Sequence, residues 1–186
     1  MEPHFIFNVL NSIAGLVRDK RNDAAVSMIV ALSEFLRRTT DDSQLPEVTL
    51  ADEFAYLQRY LDIQKVRFGD RLDVSVEIPP DLLRARVPSL LLQPLVENGI
   101  KHGIATRVAG GAIRVSGARR DASLQLRVFN DGPNLLDDGN ARHNGVGIAN
   151  LRARLGLLHH DNFDLQLRNV PSGGVEVTVT LPFREA

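Results

Sequence analysis

The feature that most restricts the fold is a change of hydrophobic periodicity at Phe68-Gly69-Asp70. Before it, apolar residues recur at intervals of three and four, which predicts amphipathic helices. After it, apolar and polar residues alternate from Leu72 to Ile78, which predicts a half-buried strand ended by Pro79-Pro80. We therefore predict two parts, a helical region over residues 1–68 and an α+β region over residues 69–186.

The helical region is predicted to hold three helices. The first starts at His4 and carries an apolar stripe of Ile6, Leu10, Ile13 and Val17. The second runs from about Asp23 to Arg38, a loop covers Asp41 to Pro46, and the third opens at Thr49, where Asp52 completes a pattern that resembles a capping box. The apolar faces exceed what three short helices can cover, so we expect a homodimer.

The second region mixes strands and helices. A helix over Leu90–Gly103 is followed by a hairpin that turns around residues 119–122, then by a helix carrying Ile148, Leu151, Leu155 and Leu158. Two more strands, residues 164–168 and 175–181, flank a turn at residues 172–174. This order predicts an α/β sandwich in which helices cover a mixed, largely antiparallel sheet.

Composition excludes several classes of function. The chain has 186 residues, a net charge of −1 and no cysteine, so direct nucleic-acid binding and thiolate metal sites are not expected. No apolar run approaches the roughly 18 residues of a membrane span. We expect a cytoplasmic segment. Because the sequence begins at a motif, we also expect an upstream sensor region, through which any membrane attachment would occur.

The segment Leu90–Gly103 changes from an apolar run into a polar cluster of Glu97, Asn98, Lys101 and His102. An amide oxygen suits Mg²⁺ and an ammonium group suits phosphate, so this cluster could hold magnesium and a polyphosphate. The alternative is that Glu97 and Lys101 form an ordinary ion pair on the helix surface. The cluster alone does not decide between the two readings.

Two glycine-containing segments can each be interpreted either as ordinary structure or as part of a nucleotide site. Asn130-Asp131-Gly132-Pro133 is typical of a turn, but Asp131 could accept a hydrogen bond from the amine of adenine, with Gly132 leaving room for the ring. Gly145 and Gly147 precede a helix whose N–H groups could hold phosphate, although the third glycine of a dinucleotide fingerprint is absent. Residues 134–144 are either a lid over a nucleotide or a plain surface loop.

His4 is the candidate nucleophile. It lies one helical turn before Asn8, and a neutral imidazole can attack a phosphoryl group. The adjacent His159 and His160 are interpreted as a helix end, because neighbouring residues on a helix point apart.

Four motifs, in this order and spacing, resemble the LytS/YehU-type sensor histidine kinases. They are PHFIFNVLNSI at residues 3–13, LLLQPLVENGIKHG at 90–103, NDGP at 130–133 and GVGIANLRARL at 145–155. The stretch YLDIQKVRFGDRL at residues 60–72 resembles this family's connection between helices and ATPase domain. The resemblance implies the GHKL-type ATPase fold shared with gyrase and the heat-shock chaperones, after a helical dimerisation and phosphotransfer region.

The resemblance also implies roles for individual residues. His4 would be the phosphoacceptor, Asn98 the magnesium ligand, and Asp131 with Gly132 the adenine site. Lys101, His102, Gly145 and Gly147 would lie near the phosphates of ATP. The implied reaction moves the γ-phosphoryl group of ATP to His4 and then to an aspartate in the receiver domain of a response regulator, which we expect to be LytR-type.

The sequence departs from related ATPases at two positions. Pro94 stands where many place Glu, Asn or His, so Glu97 is the substitute candidate for a base. Phe5 follows His4 where many kinases have an acidic residue. Two other functions remain open, a serine kinase of the anti-sigma-factor type on the same fold and a non-catalytic dimerisation or phosphatase module.

Overall fold

The computed structural model describes residues 3–41, 45–105, 107–135 and 146–186. Within these ranges the helices are α1 (Pro3–Arg18), α2 (Asn22–Asp41), α3 (Leu50–Phe68), α4 (Leu92–Gly99) and α5 (Val146–His159). The strands are β1 (Glu47–Thr49), β2 (Leu72–Glu77), β3 (Arg86–Pro88), β4 (Gly111–Arg120), β5 (Ser123–Asn130), β6 (Asp164–Asn169) and β7 (Val175–Pro182). The α+β prediction is confirmed. None of the described helices is long and apolar enough to cross a membrane.

Helices α1, α2 and α3 pack around a cluster of aromatic rings. Phe35 is fully buried and its ring lies 5.3 Å from that of Phe5 and 5.0 Å from that of Tyr56, between ring centroids. Tyr60 completes the cluster, 5.2 Å from Phe5. Helix α3 starts as predicted, because the Thr49 side chain accepts a hydrogen bond from the Asp52 N–H at 3.1 Å and so satisfies a free helix donor.

The buried face of α1 differs from the predicted stripe. Phe5, Val9 and Leu16 are buried, whereas Leu10 and Val17 are about half exposed. Helix α2 likewise turns part of its apolar surface outward. Together the two helices present an outer apolar stripe, consisting of Phe7, Leu10, Val17, Val26, Ile29 and Val30.

The main sheet has five strands in the order β2-β4-β5-β7-β6. Strand β2 pairs parallel with β4, and every other neighbouring pair is antiparallel, including the predicted β4–β5 hairpin. Side chains of β5 and β7 alternate between buried and half-exposed, so one face of the sheet is buried. Helices α4 and α5 cover that face, with Leu95, Ile148 and Leu151 in the core.

A second, two-stranded sheet was not predicted. Strand β1 precedes α3 and pairs antiparallel with β3, with Val48 opposite Val87. Strands of three residues are too short to show periodicity. The pair joins the segment before α3 to the segment before α4, across the predicted boundary between residues 68 and 69. Helix α3 ends at that boundary, at Phe68. The division into two domains stays a prediction.

Candidate functional site

The predicted helix over Leu90–Gly103 is divided into three conformations. Leu90 has a left-handed backbone with φ 55°, α4 begins at Leu92, and residues Ile100–Ile104 form a π-helical turn. The turn is closed by the Ala105 N–H, which donates to the Ile100 carbonyl oxygen at 2.8 Å. Because π-helical turns are common at functional sites, this break draws attention to Lys101 and His102, which it contains.

The start of α4 is held by a buried carboxylate from α3. Glu53 is 2% exposed and accepts hydrogen bonds from the N–H groups of Leu90 at 2.9 Å and Leu92 at 2.7 Å. Burial raises the pKa of Glu53 to about 7, and the backbone donors and Arg154 oppose that shift. This carboxylate satisfies the first N–H group of α4, at Leu92, where the N-cap residue Leu91 supplies no capping side chain.

Arg154 of α5 contacts the same turn. Its Nη2 donates to the Leu90 carbonyl oxygen at 2.8 Å, and its Nε is buried with no hydrogen-bond partner. Burial lowers the pKa of Arg154, and the Glu53 carboxylate raises it in part. The carboxyl group of Glu53 and the guanidinium group of Arg154 therefore both hydrogen-bond to the left-handed residue Leu90.

The other end of α4 contacts the end of β5 through glycines. The Asn130 side chain is buried against Gly99 and Gly103, where an added Cβ atom would lie 3.4 Å from its Oδ1 and 2.6 Å from its Nδ2 respectively. A Cβ atom on Gly132 would lie 2.2 Å from the Cα atom of Gly103. This close approach requires glycine, and it places the Asn-Asp-Gly segment directly against the π-helical turn.

Asp131 follows at the same edge. Its Oδ1 accepts from the Ala112 N–H at 2.9 Å and from Arg107 Nη1 at 3.3 Å, while Arg107 also donates to the Asp131 carbonyl oxygen at 2.8 Å. Gly111 leaves space for the carboxylate, because an added Cβ atom would lie 2.2 Å from Oδ1. Within the described ranges no hydrogen bond reaches Oδ2, so this oxygen can accept from a ligand.

The polar cluster divides into two levels of exposure. Glu97 and Asn98 are half-buried, whereas Lys101 and His102 are exposed. Glu97 accepts a hydrogen bond from Gln93 Nε2 at 2.7 Å, one turn earlier on α4. The described residues contain no group of three or more His, Cys, Asp or Glu side chains that could hold a metal ion. An amide oxygen such as that of Asn98 is a ligand type that suits Mg²⁺.

Helix α5 contributes Gly147, which is exposed in the first turn of the helix. A Cβ atom on it would lie 3.6 Å from the Pro94 Cβ, so the beginnings of α4 and α5 adjoin. Gly145 and residues 136–144 of the predicted lid lie outside the described residues. The start of that segment is held by Asn169, which accepts from the Leu135 N–H at 2.7 Å.

His4 and Asn8 lie one turn apart in α1, as predicted. Asn8 is half-buried, and its carbonyl oxygen accepts from the Ser12 hydroxyl at 2.9 Å. The His4 side chain lies outside the description. His159 is the last residue of α5, and His160 follows it with a positive φ of 52°, so the pair lies at the helix end as interpreted from the sequence.

Sequence reasoning missed Glu53, Arg107 and Arg154. The signal for Glu53 was present, because it precedes Leu57 and Leu61 by four and eight residues and so lies on the apolar face of α3. Arg154 similarly follows Leu151 by three residues. Arg107 shows no such pattern, and only the structure brings it to Asp131.

The family model described as histidine kinase matches residues 1–72, the region that holds α1 to α3. Over this region the chain is similar to the histidine kinase family. This confirms the resemblance that the four motifs indicated. Its similarity to curated sensor histidine kinases extends over the rest of the chain as well.

Two curated relatives illustrate this similarity. The sensor histidine kinase BtsS of Escherichia coli K12 is 33% identical over 187 residues, which cover 100% of this chain and 32% of BtsS. The sensor protein LytS of Oceanobacillus iheyensis is 29% identical over 196 residues, covering 99% of this chain and 33% of LytS. The chain thus spans about a third of the length of these relatives.

Solved structures of histidine kinases share the fold. The kinase domain of the blue-light-activated enzyme of Erythrobacter litoralis has a TM-score of 0.55 at 17% identity, covering 97% of this chain and 94% of that chain. Full-length ShkA in complex with AMPPNP gives 0.55 at 16% identity, with coverages of 77% and 32%. ThkA in complex with the response regulator TrrA gives 0.55 at 14% identity, with coverages of 97% and 59%.

Proposed function

We propose that this chain is the catalytic part of a sensor histidine kinase, with a helical dimerisation and phosphotransfer region over residues 1–68 and an ATP-binding domain over residues 69–186. The observation that carries the proposal is the contact between Gly132 and Gly103. It joins the carboxylate of Asp131 and the polar end of α4 at one edge of the sheet. An adenine-binding group and a phosphate-binding group are then neighbours, as a bound ATP molecule needs.

The nucleotide-binding residues are those the motifs indicate. The Oδ2 atom of Asp131 accepts from the exocyclic amine of adenine, and Gly132 allows the ring to approach the backbone. Lys101 and His102 face the phosphates from the exposed π-helical turn, with Gly145 and Gly147 on the α5 side. The ShkA structure with AMPPNP supports nucleotide binding by this fold.

Asn98 is the protein ligand for magnesium. When bound, Mg²⁺ would neutralise negative charge on the phosphates of ATP. Glu97 is the candidate for a base near the phosphates, held in its rotamer by Gln93. Because ATP is a cytoplasmic substrate, we place this segment in the cytoplasm.

The acceptor is His4. In the proposed step a bond forms between an imidazole nitrogen and the γ-phosphorus, the bond from that phosphorus to the β–γ bridging oxygen breaks, and ADP leaves. Asn8, one turn further along α1, orients the imidazole. The phosphoryl group then passes to an aspartate on a response regulator of the LytR type. The complex of ThkA with TrrA supports a regulator as the partner.

A second copy of the chain covers the outer apolar stripe of α1 and α2. Phe7 is 64% exposed and Val26 is 59% exposed, and side chains of this size gain about 2 kcal/mol each when removed from water. Helices that carry a second apolar face are typical of bundles formed between subunits. The proposed homodimer is therefore a bundle of α1 and α2 from two chains.

The test is incubation of the chain with γ-labelled ATP and magnesium. We expect a phosphoprotein that is labile to acid and stable to base, and that is absent in His4→Gln although Mg-ATP still raises its melting temperature. Asn98→Asp and Asp131→Asn should lose most of that thermal shift. A matched control is Asn11→Asp on the exposed side of α1, which should label normally.

Two results would contradict the proposal. Persistent labelling of His4→Gln would exclude His4 as the acceptor. An undiminished thermal shift in both Asn98→Asp and Asp131→Asn would exclude the nucleotide site described here.

A further inference from the structure

Glu53 lies where three helices meet, although it touches neither of the proposed reacting groups. Its side chain belongs to α3. It accepts hydrogen bonds from Leu90, just before α4, and from Leu92, the first residue of α4, and Arg154 of α5 also contacts Leu90. Both oxygens are used, since Oε2 accepts from Leu90 and Oε1 from Leu92. The carboxylate is 2% exposed, so no water replaces either bond at low cost.

The helices that meet at Glu53 lead to different parts of the proposed kinase. Helix α3 packs with α1, which carries His4, through the contact of Phe5 with Tyr60. Helix α4 carries Asn98, and α5 carries Gly147 in its first turn. A displacement of α3 along or around its axis therefore moves the acceptor of the hydrogen bonds that orient α4.

The nucleotide site also has a second support that does not involve Glu53. Gly99, Gly103 and Gly132 hold the far end of α4 and the π-helical turn against β5. The carboxylate of Asp131 is fixed by Ala112 and Arg107. These contacts can keep the binding residues together when the start of α4 is released.

We propose that Glu53 is a positioning residue that couples helix α3 to the nucleotide site, so that the orientation of the helical region sets the rate of phosphoryl transfer. The inference rests on the proposed function and assigns it a route for regulation. Movement of α3 is passed through one carboxylate to α4 and, through the Leu90 carbonyl oxygen and Arg154, to α5. Without the carboxylate, the nucleotide still binds, but movement of α3 no longer changes the position of α4.

The test compares Glu53→Gln with Asp62→Asn in the whole chain. A glutamine has the shape of the glutamate but only one acceptor oxygen, so one of the two N–H groups at the start of α4 loses its partner. Asp62 is an exposed carboxylate on the same helix, bonded to Gln58 Nε2 at 2.9 Å. It controls for the replacement of a carboxyl group on α3 by an amide.

We expect Glu53→Gln to lower the rate of label transfer at saturating Mg-ATP by about tenfold, because α4 loses one of the hydrogen bonds that orient it. The Kd for Mg-AMPPNP, measured by calorimetry on the same preparation, should change by less than about threefold, or about 0.7 kcal/mol in binding free energy. The reason is that the glycine contacts at the far end of α4 do not involve Glu53. Asp62→Asn should match the unmodified chain in both. A folded Glu53→Gln protein with an unchanged rate, or with rate and affinity lost together, would overturn the coupling.

A second measurement does not depend on phosphoryl transfer. Mg-AMPPNP should slow hydrogen exchange of the α3 amides in the unmodified chain and in Asp62→Asn, but not in Glu53→Gln, because coupling between sites is reciprocal. If the unmodified chain shows this slowing but transfers no label, the proposed function fails and the coupling stands. If Mg-AMPPNP leaves α3 exchange unchanged in the unmodified chain, the coupling fails whatever the labelling shows.

Discussion

The two ends of α4 are held by contacts of opposite character. At its start, a buried carboxyl group and a guanidinium group both bond the backbone of Leu90, and the contact depends on charge and hydrogen bonds. At its far end, backbone lies against backbone, and the contact depends on the absence of side chains at Gly103 and Gly132. The first contact can respond to pH and to movement of α3. The second tolerates almost no displacement, which suits the end nearer the proposed ligand.

The largest loss of stability should follow from adding a side chain at the contact between Gly132 and Gly103. In Gly132→Ala the new methyl group would lie 2.2 Å from the Gly103 Cα, so backbone must move. We expect the free energy of unfolding to fall by about 3 kcal/mol or more, at the upper end for overpacked sites. Urea titration measures it.

The matched control is Gly156→Ala. A Cβ atom at position 156 meets nothing within 4 Å, and the residue lies inside α5. Alanine should therefore stabilise the helix by up to about 1 kcal/mol. If the two alanine variants were equally stable, close approach would not be what holds the far end of α4.

The contact of Glu53 at the start of α4 should make the free energy of unfolding depend on pH. Because the folded pKa of Glu53, about 7, lies above its ordinary value of 4.5, the folded protein holds this proton more tightly than the unfolded chain does. The stability that this provides is complete below about pH 4.5 and is lost as pH rises through about 7, by about 1.4 kcal/mol per unit of pKa difference.

The measurement is the difference in unfolding free energy between the unmodified chain and Glu53→Gln, from pH 5 to pH 8. Taking the difference removes the effect of other titrating groups, including His159, whose pKa is lowered by burial. The unmodified chain should lose stability relative to the variant as pH rises. If the unmodified chain kept or gained stability relative to Glu53→Gln as pH rises, Glu53 would be ionised throughout this range in the folded protein.

The smallest effect should follow from Arg107→Gln. The Arg107 and Asp131 side chains are 39% and 41% exposed, so solvent weakens their ion pair. We expect a loss of stability of no more than about 1 kcal/mol, since exposed pairs contribute little. A loss comparable to that of Gly132→Ala would show that Arg107 supports the far end of α4 as strongly as the glycines do.

Much of this fold was predictable because it depends on residues that are close together in the sequence. The alternation in β2, the hairpin between β4 and β5, and the cap at Thr49 each depend on neighbours within a few residues. The break at Leu90 was not predictable in this way. Its cause is the carboxylate of Glu53, 37 residues earlier in the chain, and residues 90–103 read alone continue one helical pattern.

The candidate site shows the same division. Motif residues such as Asn98, Asp131 and Gly132 could be named from the sequence. The need for glycine at position 103 could not be predicted, because it arises from the close approach of the Gly132 backbone. The buried face of α1 was also mistaken. A helix with apolar residues on two sides has no single stripe, and only the ring cluster around Phe35 shows that Phe5 faces inward.

The short connection at Gly69–Arg71 has a consequence for the design of chimeras between this chain and its relatives. It joins α3 directly to β2, whose register with β4 pairs Leu72 with Gly111. One residue inserted here would either rotate α3 by about 100° relative to the sheet or turn the buried side chains of β2 to the opposite face. Exchange of helical regions between relatives should therefore keep the number of residues between Phe68 and Leu72 unchanged.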